Sequence, residues 1–335
     1  MEVNPPHRPI SVSDPSAPSA ARFAAQHAAD LAGFREEDAH RAGLVATELA
    51  TNLVKHGGGG DVLVRAARSA WGAEVEIIAI DRGDGIADLA RALSDGHSTS
   101  GTAGTGLGAV KRLSEDFDIY SRERRGTAVL ARLRAQRGAP RPRRRFDSAG
   151  LAVPRSGETA CGDAWQVVQQ TDRLIAVVAD GLGHGLQASE ASAAAIGALE
   201  PDRDPAVSLQ VMHDALRHTR GAAVAIAEIR PVRRVMKFAG IGNISAGVYG
   251  LQASRHAVSL NGTLGHEVRE FREYSYPWES GALLVMHSDG LSARWSFDDY
   301  HGLRQRDPSL IAAVLYRDFR RERDDVTVVV GRELT

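Results

Sequence analysis

The sequence predicts two successive α+β domains, on three observations: its length, one sharp break in composition, and a restart of helix and strand periodicity after that break. At 335 residues the chain exceeds the roughly 150 residues of an ordinary domain. The break is RLRAQRGAPRPRRR, where Arg132, Arg134, Arg137, Arg141, Arg143, Arg144 and Arg145 fall among two prolines with no acid. Its end, 137–146, reads as a self-repelling, solvated linker. A lead-in over 1–7 and domains over 8–136 and 147–335 follow from that division.

Each element has its own signal. Apolar residues recur at helical spacing over 20–34 and 37–55, and Gly57 to Gly60 stops the second run. The proline-rich first twenty residues allow at most a short strand before it. DVLVRAARSA and AEVEIIAI alternate as strands, a glycine-rich stretch follows, GAVKRLSEDF is helical, and FDIYS and GTAVLARLR are two closing strands. Helices over one antiparallel sheet result. After the linker, AGLAVP, AWQVVQQ, RLIAVVAD, AAVAIAEIR, RRVMKFAGIG, ALLVMHSDG and DVTVVV are strand candidates, with helices near 187–199, 206–219 and 308–319. Two facing sheets with helices outside fit this order. No internal repeat is visible.

Composition narrows the function. A hydrophobic fraction of 43% and a charged fraction of 25% exclude wholesale disorder. With 41 basic and 42 acidic residues the net charge is -1, which argues against a surface built for nucleic acid or anionic membrane. The one cysteine, Cys161, forms no internal disulfide, and a bystander thiol is expected there for want of a base partner. No apolar run nears the ~20 residues of a spanning helix, and the start lacks a signal peptide's apolar core; a cytoplasmic protein is expected. Four tryptophans show no stacking array, so packing roles are expected.

Three pieces of the first half belong together. In TELATNLVKHGG, Glu48, Asn52 and Lys55 or His56 share one helix face, while Leu44, Leu49 and Leu53 serve the core from another. Asp81, at the end of EVEIIAI, is followed by Gly83 and Gly85; a carboxylate there suits an exocyclic amine such as adenine's, and the glycines let backbone approach a planar ring. Then Gly101, Gly104, Thr105, Gly106, Leu107 and Gly108 open the helix AVKRL, where backbone N–H groups suit phosphate. No GxxxxGK[ST] sequence is present, which excludes a P-loop enzyme.

This ordered trio resembles the GHKL (Bergerat) ATPase fold, with its N-box, adenine box and glycine-rich lid, and DGHSTSGTAGTGLGAVKRLSEDFDIYS is similar to the small serine kinases of the RsbT and SpoIIAB type. The resemblance spans about 8–135 and implies an α/β sandwich that binds ATP with Mg²⁺. By that resemblance Glu48 polarises a serine hydroxyl as catalytic base, Asn52 holds Mg²⁺, Asp81 reads adenine, and Gly104, Gly106 and Gly108 cradle the phosphates.

In the second half, aspartates recur at strand ends or beside glycine: Asp163 in CGDAW, Asp180 in VVADGLGHG, Asp289 in MHSDGL, and Asp324 and Asp325 in RDDVTVVV. Carboxylates gathered at sheet ends form a hard-oxygen site for Mg²⁺ or Mn²⁺, to which Gly181 adds a backbone carbonyl. His184 is expected to be a loop residue near that site. The set resembles the SpoIIE-type branch of the metal-dependent PPM protein phosphatases, in the short form closest to RsbX, over about 147–333, which implies an α-β-β-α sandwich. By that resemblance Asp180 bridges two ions, Gly181 ligates one, Asp289 and Asp324 complete a shell, and Asp163 acts through a metal-bound water. Two cations would activate that water for in-line attack on phosphorus. Cys161-Gly162 stands where the family commonly has Gly-Gly, and spacing does not separate Asp324 from Asp325.

Together the resemblances imply a bifunctional phosphorylation switch. A kinase-like domain and a serine/threonine phosphatase would act on a STAS-domain phosphoprotein, with a sigma factor or RsbT-like regulator as a possible further partner and a homodimer open. Fusion raises effective concentration, since a partner bound to one domain is presented near the other. Two alternatives stand beside it: an N-terminal ATP-dependent docking module for a sigma factor or STAS protein, or a cis-regulator of the phosphatase.

Overall fold

The structure, a computed structural model, describes residues 4–69, 72–93, 106–135 and 144–334. It divides into two compact units. One contains His7–Arg143 with Gln305–Arg317; the other contains Met1–Pro6, Arg144–Arg304 and Asp318–Thr335.

In the first unit, β1 (Arg8–Val12), α1 (Ala17–Leu31) and α2 (Glu36–Asn52) precede β2 (Gly60–Ser69) and β3 (Gly72–Ile80). Two short helices, α3 (Leu89–Ala92) and α4 (Leu107–Leu113), lead to β4 (Asp116–Ser121) and β5 (Thr127–Arg134). The five strands form one antiparallel sheet in the order β1-β2-β3-β5-β4. Small residues make the helix layer thin: Ala21, Ala25 and Ala29 of α1 and Ala42, Ala46 and Ala50 of α2 are fully buried, against Val62, Val64, Val75 and Ile77 of the sheet. Beyond Asn52 the last turn widens to π geometry over Leu53–Gly57 and ends on Gly58 in the left-handed region, a distortion that commonly marks functional sites.

The second unit stacks two five-stranded sheets. The first, ordered β13-β10-β9-β8-β7, uses β7 (Asp163–Gln169), β8 (Leu174–Gly181), β9 (Ala222–Arg230), β10 (Val235–Ile241) and β13 (Tyr274–Pro277). The other, ordered β12-β11-β14-β15-β6, uses β6 (Phe146–Val153), β11 (Ser245–Tyr249), β12 (Ser254–His256), β14 (Leu283–His287) and β15 (Val326–Glu333). Trp165, Leu174 and Phe238 from one sheet meet Phe146, Val248, Met286 and Val329 from the other in a shared core. Helices α5 (Leu186–Gly197) and α6 (Pro205–Ala215) cover the outer face of the first sheet, where Ile196, Leu209 and Met212 pack on Val177, Val224 and Ile226.

As the closing strand GTAVLARLR predicts, half-buried Arg132 and buried Arg134 lie in β5, neutralised by acids from neighbouring strands: Arg132 Nε donates to Glu76 Oε2 at 2.7 Å, and Arg134 pairs with Asp116. Two differences from the sequence reading have physical causes. The linker stops one residue early, because Phe146 is fully buried and begins β6; most of the linker lies outside the described residues. Last, α7 (Pro308–Phe319), expected in the C-terminal domain, belongs through Arg317 to the N-terminal compact unit.

Candidate functional site

The N-terminal unit holds a cavity of about 570 Å³ lined by Glu48, Asn52, Lys55, His56, Gly57, Asp81, Gly85, Gly106, Leu107 and Thr127 among others. The stripe read along α2 therefore faces this cavity. Asn52 Nδ2 is buried with no hydrogen-bond partner among the described residues, a cost that a bound ligand would relieve; since amide O and N exchange by a flip, the same group offers a metal an oxygen. Glu48 is half-buried, and burial raises its carboxyl above the ordinary range against the opposing charge of Lys55.

Asp81 follows β3 and is buried. Its Oδ1 accepts the Gly83 N–H at 2.9 Å and the Thr127 N–H at 3.1 Å, so one carboxylate oxygen is fixed by protein and the other is left for a ligand. Burial pushes this carboxyl up, and the two backbone donors and Arg317 pull against it. The glycines also have a packing job. A side chain on Gly83 would meet the Gly57 backbone oxygen at 2.9 Å, and one on Gly85, at φ +74°, would strike the Arg122 carbonyl at 2.2 Å. They let loop pack on loop, and only Gly85 also lines the cavity. Gly106 and Leu107 reach the cavity, Gly108 is buried within α4, and Gly101, Gly104 and Thr105 lie outside the described residues.

The C-terminal unit holds a cavity of about 620 Å³ lined by Asp180, Asp289 and Asp324, with Arg155, His184, Asn243 and Asn261. Asp180 ends β8, Asp289 follows β14 and Asp324 precedes β15, so strand ends from both sheets supply the carboxylates. Burial, then the charges of Asp289, Asp324 and Asp325, raise the Asp180 carboxyl to about 7. A cation among them removes that repulsion. The donors are hard oxygens, the type Mg²⁺ and Mn²⁺ take, but among the described residues no group of three His, Cys, Asp or Glu side chains is placed to hold an ion, so an ion here would draw much of its shell from water.

Asp163 and Asp325 stand apart from the cavity lining. Asp163 pairs in register with Asp180 across β7 and β8, is buried, and accepts the Ser288 hydroxyl at 2.6 Å; burial and Asp180 push its carboxyl well up. Asp325 accepts backbone N–H groups on both oxygens, from Arg155 at 2.9 Å and Gly162 at 3.0 Å. Its role as a ligand is not supported by that geometry, which instead fixes the loop carrying Asp163. Gly181 is buried, and a Cβ there would meet the Ala188 carbonyl at 2.0 Å. His184 is exposed and pairs with Glu158 at 2.9 Å, and burial pushes the Cys161 thiol well up, so it is no nucleophile.

Sequence reasoning missed Arg155 and Asn243. Asn243 Nδ2 donates to Asp289 Oδ2 at 2.7 Å; its only sequence signal was an Asn after a strand end, which any turn shares. It also missed a local aromatic group in which Trp295 stacks on Tyr249 with ring centroids 4.9 Å apart.

Comparison with known proteins finds a match for each half of the chain. Residues 12–133 match the family model for the histidine kinase-like ATPase domain, and residues 170–332 match that for stage II sporulation protein E, SpoIIE. The first half therefore belongs to the histidine kinase-like ATPase family, and the second half carries a domain matched by the SpoIIE model. Two proteins of Bacillus subtilis (strain 168) are relatives of the separate halves. The serine/threonine-protein kinase RsbT is 36% identical over 112 residues, covering 33% of this chain and 84% of RsbT. The phosphoserine phosphatase RsbX is 27% identical over 141 residues, 41% of this chain and 71% of RsbX. Among solved structures, a chain from one described as the bacterial stressosome, a modular system adapted to control secondary messenger signalling, is 26% identical with a TM-score of 0.53, covering 56% of this chain and 99% of that one. RsbX in complex with magnesium, at 23% identity and a TM-score of 0.50, covering 58% of this chain and 98% of that one, shares the fold. No helix among the described residues is long and apolar enough to cross a membrane.

Proposed function

We propose that the chain is a two-domain phosphorylation switch in a partner-switching pathway: a Mn²⁺- or Mg²⁺-dependent protein serine/threonine phosphatase joined to an ATP-binding serine kinase, both acting on a STAS-domain protein. The observation that carries it is the convergence of Asp180, Asp289 and Asp324 on one cavity within a SpoIIE-family domain. A divalent ion bound there would supply charge neutralisation and activate water for attack on phosphorus. Asp180, Asp289, Asp324 and the Gly181 carbonyl would hold it, Asn243 orients Asp289, and Ser288 fixes Asp163 behind the site. Arg155, in the same lining, offers a fixed positive charge to a phosphoryl group.

In the N-terminal pocket, Asn52 would hold Mg²⁺, Asp81 the adenine amine, and Glu48 the serine proton. The raised proton affinity of Glu48 favours a kinase over an ATP-dependent docking module, which needs no base. Two assays test the proposal. Release of phosphate from a phosphoserine STAS protein should require Mn²⁺ or Mg²⁺ and disappear in Asp180→Ala; undiminished release by that variant would refute the metal site. Radiolabelled ATP should transfer phosphate to the unphosphorylated STAS protein, and tight binding without transfer would leave only the docking role.

A further inference from the structure

Between Asp289 and Asp324, two carboxylates of the C-terminal cavity, the chain makes an excursion. Gln305–Arg317 is integrated into the compact unit of the ATP pocket, and the chain rejoins the other unit at Asp318. The fastening is polar and specific at both ends. Near its start, Asp118 accepts from Arg306 Nη1 at 3.2 Å and from the Asp307 N–H at 2.8 Å. Asp307 takes both arms of Arg132 at 2.7 Å and caps α7 by accepting the Ser309 N–H at 2.8 Å. Ser309 in turn donates to Glu76 at 2.7 Å. Every residue from Pro308 to Arg317 is buried.

The far end reaches the base-reading loop. Arg317 Nη1 donates to the Asp81 carbonyl at 3.2 Å, and Arg82 donates to the Arg317 carbonyl. Asp81 thus faces the cavity with its carboxylate and α7 with its backbone. Seven residues after Arg317 the chain arrives at Asp324. A base amine that engages the Asp81 carboxylate acts on the residue whose backbone carbonyl anchors Arg317; a shift of that residue loosens Arg317 and frees the segment that carries Asp324.

We propose that α7 reports nucleotide occupancy of the Asp81 pocket to the carboxylate cavity, so that bound nucleotide lowers phosphatase activity in cis through the Arg317–Asp81 contact. The inference rests on the nucleotide and phosphatase readings above and adds their coupling, which keeps the kinase and phosphatase from running together. Coupling of this kind needs two states that the ligand distinguishes; here they are α7 held or released at Asp81.

The test uses the full chain, p-nitrophenyl phosphate and Mn²⁺ in large excess over ADP, so that chelation is negligible. In the wild type, saturating ADP should lower the hydrolysis rate about 5-fold, the lower end of ordinary allosteric coupling, and speed amide hydrogen exchange over residues 318–326. Arg317→Ala should bind ADP at least as tightly, within about threefold, yet lose both responses, while Arg317→Lys, which keeps the charge, should retain part of them. Should Arg317→Ala misfold, the lysine variant and the exchange comparison in the wild type still decide. A rate and an exchange pattern both indifferent to bound ADP would overturn the coupling alone. Absence of ADP binding would instead sink the pocket reading, and the coupling with it. Absence of hydrolysis would count against the phosphatase reading, leaving the exchange measurement to decide the coupling.

Discussion

The two neighbouring carboxylates of RDDVTVVV have different partners: both oxygens of Asp325 accept backbone N–H groups, whereas Asp324 lines the cavity beside Asp180 and Asp289. Their substitutions should separate accordingly. Asp325→Ala orphans two donors at about 1–3 kcal/mol each and should show as a lowered Cm in urea. Asp324→Asn, which removes one of the repelling charges, should not lower Cm and should raise the Mn²⁺ concentration needed for half-maximal phosphatase activity at least tenfold. Equal stability losses in the two variants would contradict the assignment. Glu48 permits a parallel test in the other unit: Glu48→Gln should hold ATP within a few fold of the wild type and lose phosphotransfer, because the amide keeps the shape and removes the base.

At the scale of elements, the close approach of two loops fixes the ATP pocket. A Cβ on Gly57, in the π turn after α2, would stand 2.9 Å from Asp81 Cβ. Gly57→Ala should therefore displace Asp81, cutting nucleotide affinity tenfold or more by calorimetry while costing only about 1–3 kcal/mol in stability. Strand β5 carries a second dependency. Burial pushes the Glu76 carboxyl up, but Arg65, Arg132 and His7 outweigh it and hold it well below the usual range. Removing one partner of such a buried group costs about 3–5 kcal/mol, so Arg132→Ala should lower the urea midpoint of its unit by that amount. The same network shows what sequence periodicity left out: it placed Arg132 and Arg134 in a strand but not their partners, which lie on β3 and β4 and in the 305–317 segment, and pairing at that separation leaves no local signal. Long amphipathic or alternating elements such as α1, α2, β3 and β8 were legible. β11, β12 and β13 were not: strands of three to five residues offer few alternations, and unlike the equally short β14 they carry no unbroken apolar run.

For the whole molecule, the ordered motifs gave both sites their carboxylates, but only folding separates the cavity-lining Asp180, Asp289 and Asp324 from the supporting Asp163 and Asp325. That separation has a pH signature. Asp180 titrates near 7 in the folded chain against an ordinary 3.8, so between about pH 4 and 7 the folded state holds a proton that the unfolded state has released. Stability must then fall as pH rises through that window and level off above it. Glu76 acts in the opposite sense: held low in the fold, its contribution is complete above its unfolded pKa and is lost as pH falls through its folded value. The metal-free chain should therefore show its highest Tm on the acid side of neutrality, bounded below by Glu76 and above by the aspartate cluster. Divalent ions replace the proton, so saturating Mn²⁺ should raise Tm most at pH 8 and move the optimum upward. Calorimetric titrations in buffers of different ionisation enthalpy check the same linkage directly. Mn²⁺ binding at pH 6 should release a proton, and binding at pH 8.5 should release none; proton release that is the same at both values would mean that Asp180 is not among the groups the metal engages.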